Sequence, residues 1–322
     1  MSALLWVAVA ASCKPMQADR YRKGCAERKT MPLPRSAAPV PRPHAPGIAL
    51  PKGACDAHVH MLGSEFALWD GRVEDPAPGT LDDWAERLET HLDTLGLDRV
   101  VIVHTILYGG DNSVTQAAIA RLGDRARGIG LVTDAATEAD LDALAETGIR
   151  GVRLNYIHGG ILSWDGVRAM APRLAARDMH VQMLIQADLH MSDLAAEVRA
   201  LPVPVVFDHI GWPNLAAGVT EPGFDTLRGL VADGAAHVKL SGLYRLCGAP
   251  YDAAATHIDA LARANPEGCL WASDWPHLML ADATRPDAGI LLQAFLDVVT
   301  DDATREVILT RTPERLYGFS AS

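Results

Sequence analysis

From Gly53 onward the chain repeats one pattern eight times: a short apolar run followed by an amphipathic stretch. The runs are 54–60, 99–105, 127–132, 150–156, 179–185, 203–209, 236–241 and 268–273. They include Val-Val-Ile-Val, Gly-Ile-Gly-Leu-Val, Val-Gln-Met-Leu-Ile and Val-Pro-Val-Val-Phe, without the alternation of a sheet that has one wet face. Strands apolar on both faces belong to a parallel sheet covered by helices. The intervening stretches supply those helices. Thr80 followed by Asp83 resembles a capping box for 81–95, where Trp84, Leu88, His91, Leu92 and Leu95 recur at helical spacing. Similar patterns predict helices at 113–122, 137–147, 165–177, 189–200, 223–233, 252–264 and 284–298, and a last one at about 301–310, before Pro313. Eight such units predict an α/β protein whose residues 52–322 form a closed (β/α)8 TIM barrel rather than an open doubly wound sheet. No dinucleotide or phosphate loop is present, since Gly109-Gly110-Asp111 lacks the pattern.

Residues 1–51 have a different texture. Leu4 to Ala11 is apolar and leads into Ala-Ser-Cys13, similar to a lipoprotein cleavage site, but no positive charge precedes it and eight residues cannot span a bilayer. Residues 18–30 are highly charged, and the Pro-rich stretch from Pro32 to Pro51 reads as an extended, flexible arm. Met31 offers an alternative translation start. A chain of 322 residues with 49% hydrophobic residues has material for one large core. Its formal net charge of −11 argues against nucleic acid or an anionic membrane surface as partner. Cysteines at 13, 25, 55, 247 and 269 form no zinc-type pair and, being odd in number, a poor disulfide framework. Reduced thiols in a cytoplasmic protein are the expectation. Trp84 and Trp271 read as core, and a homo-oligomer is left open.

Barrel chemistry collects at the C-terminal ends of the strands. Asp56-Ala57-His58-Val59-His60 places two imidazoles two residues apart on strand 1, so both rings can reach one point. His209 ends strand 6 and Asp274 ends strand 8. Two kinds of chemistry suit His58, His60, His209 and Asp274. They could hold a divalent metal, zinc above all, and orient its water. Without metal, Asp274 could act as general base while the imidazoles bind a carbonyl oxygen. Arg153 and Arg245 suit the anchoring of a substrate carboxylate. Asn155 and Gln182 also end strands, while Lys239 is either an anion contact or half of an internal charge pair. Tyr108, Tyr156, Trp164, Trp212 and Tyr244 are candidate walls for a planar ring.

These residues lie within recognisable motifs. Cys-Asp-Ala-His-Val-His at 55–60, Tyr-Gly-Gly-Asp-Asn-Ser at 108–113 and Arg-Gly-Val-Arg-Leu-Asn at 150–155 are three of them. Asp-His-Ile-Gly at 208–211, Val-Lys-Leu-Ser-Gly at 238–242 and Ala-Ser-Asp-Trp-Pro-His at 272–277 complete the set. Across roughly 52–318 the chain resembles the amidohydrolase-related branch of the amidohydrolase superfamily, in particular 2-pyrone-4,6-dicarboxylate hydrolases, sugar-acid lactonases and lactone isomerases. The resemblance implies a barrel hydrolase acting on a small carboxylated lactone. Asp274 then activates water, His58, His60 and His209 surround the scissile carbonyl, and Arg153 and Arg245, helped by Asn112 and Ser241, seat the carboxylate. Tyr156 and Lys239 join them as substrate contacts. Many members of the superfamily carry metal ligands as a strand-5 histidine and a strand-4 lysine or glutamate. Here those segments read Val181-Gln182-Met183 and Arg153-Leu154-Asn155, which favours a mechanism without a cofactor over one with zinc. The pyrone hydrolases have another arginine where this chain has Gly159 beside His158, so a different ring ester is open. A lactone isomerase and a non-catalytic carboxylate-binding barrel are the alternatives, and Gln182 weighs against a metal-dependent decarboxylase.

Overall fold

In the computed structural model, which describes residues 32–321, all eight expected strands form. They are β1 (Cys55–Val59), β2 (Arg99–Val103), β3 (Ala126–Gly130), β4 (Ile149–Asn155), β5 (His180–Leu184), β6 (Val205–Phe207), β7 (His237–Leu240) and β8 (Cys269–Trp271). Each pairs in parallel with the next, in chain order. The seam between β8 and β1 is closed just beyond the strands: His60 N–H donates to Trp275 O at 2.8 Å and Asp274 N–H to His58 O at 3.0 Å. This is the (β/α)8 barrel, and its seam brings His58, His60 and Asp274 side by side.

The helices on its outside are α1 (Leu81–Leu95), α2 (Ser113–Leu122), α3 (Glu138–Glu146), α4 (Trp164–Ala175), α5 (Ala187–Ala200), α6 (Pro222–Ala232), α7 (Ala255–Ala264) and α8 (Ala288–Val298). The Thr80–Asp83 capping box is present, and α1 buries Trp84, Leu88, His91, Leu92 and Leu95 as its periodicity requires. Truncating Leu88 to Ala would cost about 2–5 kcal/mol, a cavity in a packed interface. Helix α8 begins at Ala288, later than its pattern predicts, because Pro286 precedes it and the Asp287 carboxylate caps Gly289 N–H at 2.8 Å. The C-terminal segment does not stop before Pro313. After α9 (Asp302–Glu306), a π-helical turn at Val307–Arg311 leads directly into α10 (Thr312–Tyr317). Pro313 falls in the first turn of α10, where its missing N–H costs nothing.

Helix-facing side chains of the strands join one large core, which includes Trp84 and Trp271, while Ala57, Val101, Val103, Ile129, Val206 and Leu270 fill the barrel interior. Tyr317 and Phe319 close its lower end. The segment before β1 meets the opposite rim at residues 34–37, where Ser36 N–H donates to Asp75 O, Asp75 N–H to Pro34 O, and Ala37 N–H to Ala281 O at 3.1 Å. It then passes α8, where His44 N–H donates to Asp287 and Gly47 N–H to Gln293. The apolar stretch at 4–11, the charged stretch at 18–30, Met31, Cys13 and Cys25 lie outside the described residues. Among the described residues Cys55, Cys247 and Cys269 are free thiols, and no helix is long and apolar enough to cross a membrane.

Candidate active site

The site begins with two departures from regular strand geometry. On β1 the pairing with β2 slips between Asp56 and Val59, so Ala57 and His58 both turn inward. Just beyond β6, which ends at Phe207 rather than at His209 as the sequence predicts, Asp208 and His209 are adjacent and would face opposite sides of an extended chain. His209 instead takes φ 56°, and both side chains reach the interior. Asp274 likewise has φ 64°. Such left-handed non-glycine residues are uncommon and concentrate at functional sites. Gly242, φ 71°, makes room for His209: a Cβ there would lie 2.6 Å from the histidine side chain.

Asp274 is the centre. Its Oδ2 accepts from Tyr244 Oη at 2.6 Å and from Arg245 Nη2 at 3.0 Å. Its Oδ1 is buried without a hydrogen-bond partner, 3.6 Å from His58 Nε2 and 3.4 Å from His60 Nε2. His209 Nε2 lies 3.6 Å from Oδ2. Each imidazole is held by its other nitrogen: His60 Nδ1 on Val103 O at 2.7 Å, His209 Nδ1 on Ser241 Oγ at 3.0 Å, His58 Nδ1 beside Asp208 Oδ1 at 3.2 Å. A carbonyl only accepts, so His60 Nδ1 carries a proton, which leaves the lone pair of a neutral ring on Nε2. The three Nε2 atoms thus turn toward one carboxylate.

A charged network underlies them. Gln182 Nε2 donates to Asp208 at 2.9 Å, Lys239 Nζ to Gln182 Oε1 at 2.6 Å, and Arg153 Nη2 lies 3.1 Å from Asp208 Oδ2. Burial works against the charge on Asp208, but His58, Arg153 and Lys239 around it hold its carboxyl well below the usual range. Asp274 is held low in the same way: burial opposes its charge, and His209, Arg245, His60 and His58 outweigh it. Burial pulls His58 well below its ordinary value and brings His209 down to about 4, against the pull of the same two carboxylates. Burial lowers Lys239 to about 8, against the pull of Asp208.

His60, His209, Asp274, Arg153, Arg245 and Trp212 line a cavity at the C-terminal mouth of the barrel, with His58 directly beneath. Asn155 and His158 border it, and Ile106, Leu131, Ile161, Leu278 and Met279 make much of its wall apolar. Other expected contacts sit elsewhere. The Asn112 amide is engaged by the backbone of Gly110 and Leu131, so it braces a loop. Ser241 orients His209, and Lys239, completely buried, is an internal charge partner of Asp208. Tyr156 packs on His190, Trp164 donates to Glu197, and Tyr108 exchanges hydrogen bonds with Gly63. Tyr244 reaches Asp274 rather than forming a wall. Sequence reasoning gave no role to Asp208 and Asp56. Asp208 carried a signal, being a carboxylate at a strand end beside a candidate histidine. Asp56 accepts from Ser273 N–H at 2.9 Å and from its hydroxyl, and meets His91 Nε2 at 3.2 Å, pinning β1 to the segment after β8.

The amidohydrolase family matches residues 55–319. The chain belongs to this family. It is 34% identical over 294 residues to a 4-sulfomuconolactone hydrolase of Rhizobium radiobacter, covering 89% of this chain and 97% of that one. A 2-pyrone-4,6-dicarboxylate hydrolase of Comamonas testosteroni is 29% identical, covering 85% and 93%, and a D-galactarolactone isomerase of Agrobacterium fabrum 28%, covering 86% and 94%. Among solved structures, an apo protein of Agrobacterium tumefaciens superposes with a TM-score of 0.77 at 25% identity, covering 88% of this chain and all of that one. A zinc-bound amidohydrolase of Burkholderia multivorans shares the fold with a TM-score of 0.61 at 22% identity, covering 84% of this chain and 100% of that one. As an amidohydrolase, the protein is a hydrolase.

Proposed function

We propose that this hydrolase opens a small carboxylated lactone with water activated by Asp274. The observation that carries the reading is the Asp274 carboxylate: one oxygen is fixed by Tyr244 and Arg245 beside His209, and the other has no hydrogen-bond partner and faces His58 and His60, at the mouth of a cavity that also presents Arg153. Relatives named as lactone hydrolases, together spanning most of the chain, support the substrate class.

The residues fit a divalent cation. His58 Nε2 and Asp274 Oδ1 are buried without partners, and lone pairs on several imidazoles facing a carboxylate call for positive charge between them. His58, His60, His209 and Asp274 would hold it, with Asp208, Val103 and Ser241 orienting the rings from behind. When bound there, a divalent metal would supply Lewis acidity toward a carbonyl and toward water. With its lone pair on Nε2, His60 suits that role better than donating to a carbonyl oxygen. The chain's own residues do the rest. Arg153 and Arg245 draw the substrate's anionic group into the cavity. Asp274 Oδ1 takes a proton from water as it attacks the ring carbonyl, and returns it to the ring oxygen as the C–O bond breaks. An isomerase with a ring hydroxyl as nucleophile would use the same base, and a galactarolactone isomerase is among the relatives.

The test is proton release against carboxylated pyrones, muconolactones and sugar-acid lactones, with product identification and metal analysis of the purified protein. Turnover with ring opening is expected. Dialysis against chelator should reduce it at least ~10-fold and zinc should restore it, as expected when a metal acts as Lewis acid. Full activity of verified metal-free protein would overturn the metal assignment, and the absence of ring opening across the panel would overturn the lactonase.

A further inference from the structure

Glu74 lies in the loop between β1 and α1, and only 2% of its surface is exposed. Its carboxylate gathers three donors from two distant segments. Ser36 Oγ of the N-terminal arm donates to Oε1 at 2.6 Å, Met279 N–H to Oε1 at 2.6 Å, and Ala281 N–H to Oε2 at 3.2 Å. The receiving loop is strained: His277, Met279 and Ala281 have φ of 64°, 61° and 49°. Alternating left-handed residues turn successive amides away from any regular ladder, so such a segment keeps its shape only when its surroundings over-determine it. Glu74 supplies the acceptors for the loop's amides, Arg285 Nη2 donates to Ala281 O at 2.7 Å, and the arm adds Ala37 N–H on Ala281 O at 3.1 Å.

The same loop is a wall of the cavity. Leu278 and Met279 line it, and Leu278 O accepts from Arg245 Nη2 at 3.1 Å while that guanidinium also holds Asp274. We propose that Glu74, with Ser36 of the N-terminal arm as its keeper, is a positioning residue that sets the Leu278–Met279 wall and so the fit of the substrate. This assigns the Pro-rich arm a part in the active site. Glu74 reaches no reacting atom. Its loss therefore acts on binding, because Arg245 keeps its direct bonds to Asp274.

The experiment uses full-length Glu74→Gln. The new amide can accept from one backbone N–H but turns its own N–H toward the other. Hydrogen exchange at Met279 and Ala281 should speed up at least ~10-fold while the β-strand amides keep their protection, the signature of local opening. With the lactone the wild type turns over fastest, KM should rise ~10-fold and kcat stay within about threefold, the pattern of lost uniform binding. Ser36→Ala should move both readouts the same way by less, since Met279 N–H retains its acceptor. A merely structural tie would lower Tm and leave the KM of the folded fraction unchanged, which overturns the proposal; so does unchanged exchange at Met279 and Ala281. The kinetic arm rests on the lactonase reading. A wild type that opens no lactone refutes that reading, and the latch is then decided by exchange alone.

Discussion

Replacing Asp274 with Asn removes the proposed base and the charge of one proposed cation ligand, while leaving the side chain's shape in place. The amide oxygen can take the place of Oδ2, accepting from Tyr244, now at 2.6 Å, and from Arg245, now at 3.0 Å. The amide nitrogen then occupies the position of Oδ1, 3.4 Å from His60 Nε2, where it can donate to the imidazole lone pair. Arg245 and the cavity wall stay in place, so KM should change by no more than about threefold, uniform binding being retained. Catalysis loses its proton acceptor. General bases contribute ~10²–10⁴ in rate, or about 2.7–5.4 kcal/mol at 1.36 kcal/mol per decade. The assay is proton release at saturating lactone, with a thermal melt to show that the variant is folded. A kcat within about threefold of wild type in a folded, saturated variant would take Asp274 out of the chemistry.

Two further outcomes follow from the packing around the site. Gly242→Ala places a methyl 2.6 Å from the His209 side chain at a backbone φ of 71°, so kcat should fall at least ~10-fold as the ring is displaced, with some loss of stability; a fully active variant would show that His209 needs no fixed position. Burial lowers His104 to about 4 and His180 and His277 to about 3, whereas their unfolded values lie near 6.5. Below pH 6.5 the unfolded chain binds the extra protons, so stability is lost as pH falls toward 4, by up to ~1.4 kcal/mol per pH unit for each fully titrating histidine. Urea midpoints at pH 7 and pH 5 measure this, and equal midpoints would contradict it.

The barrel was legible because its determinants are local and repeated. Apolar runs such as Val100–Val103 can only be covered strands, and the Thr80–Asp83 box with its stripe of buried residues sets the bounds of α1. The same logic found the C-terminal helix but ended it too early, because a proline reads as a stop, whereas here the helical run continues through Pro313 to Tyr317. His58, His60, His209 and Asp274 were legible too, as reactive groups ending strands whose ends share one rim.

Chemical type and strand position were therefore set by the sequence alone; the partner of each group was a tertiary decision. Asn112, Ser241 and Lys239 have the chemistry to hold a substrate, yet the fold gives them to Leu131, His209 and Asp208. Arg245 and Tyr244 meet Asp274 only because the chain returns to the seam of the barrel. Glu74 meets Ser36 and Met279 across separations of 38 and 205 residues. A hydrogen bond depends on a few tenths of an ångström and on angle, while the place of each strand along the chain shows in its periodicity. Periodicity can be read one residue after another; those contacts exist only once the barrel has closed.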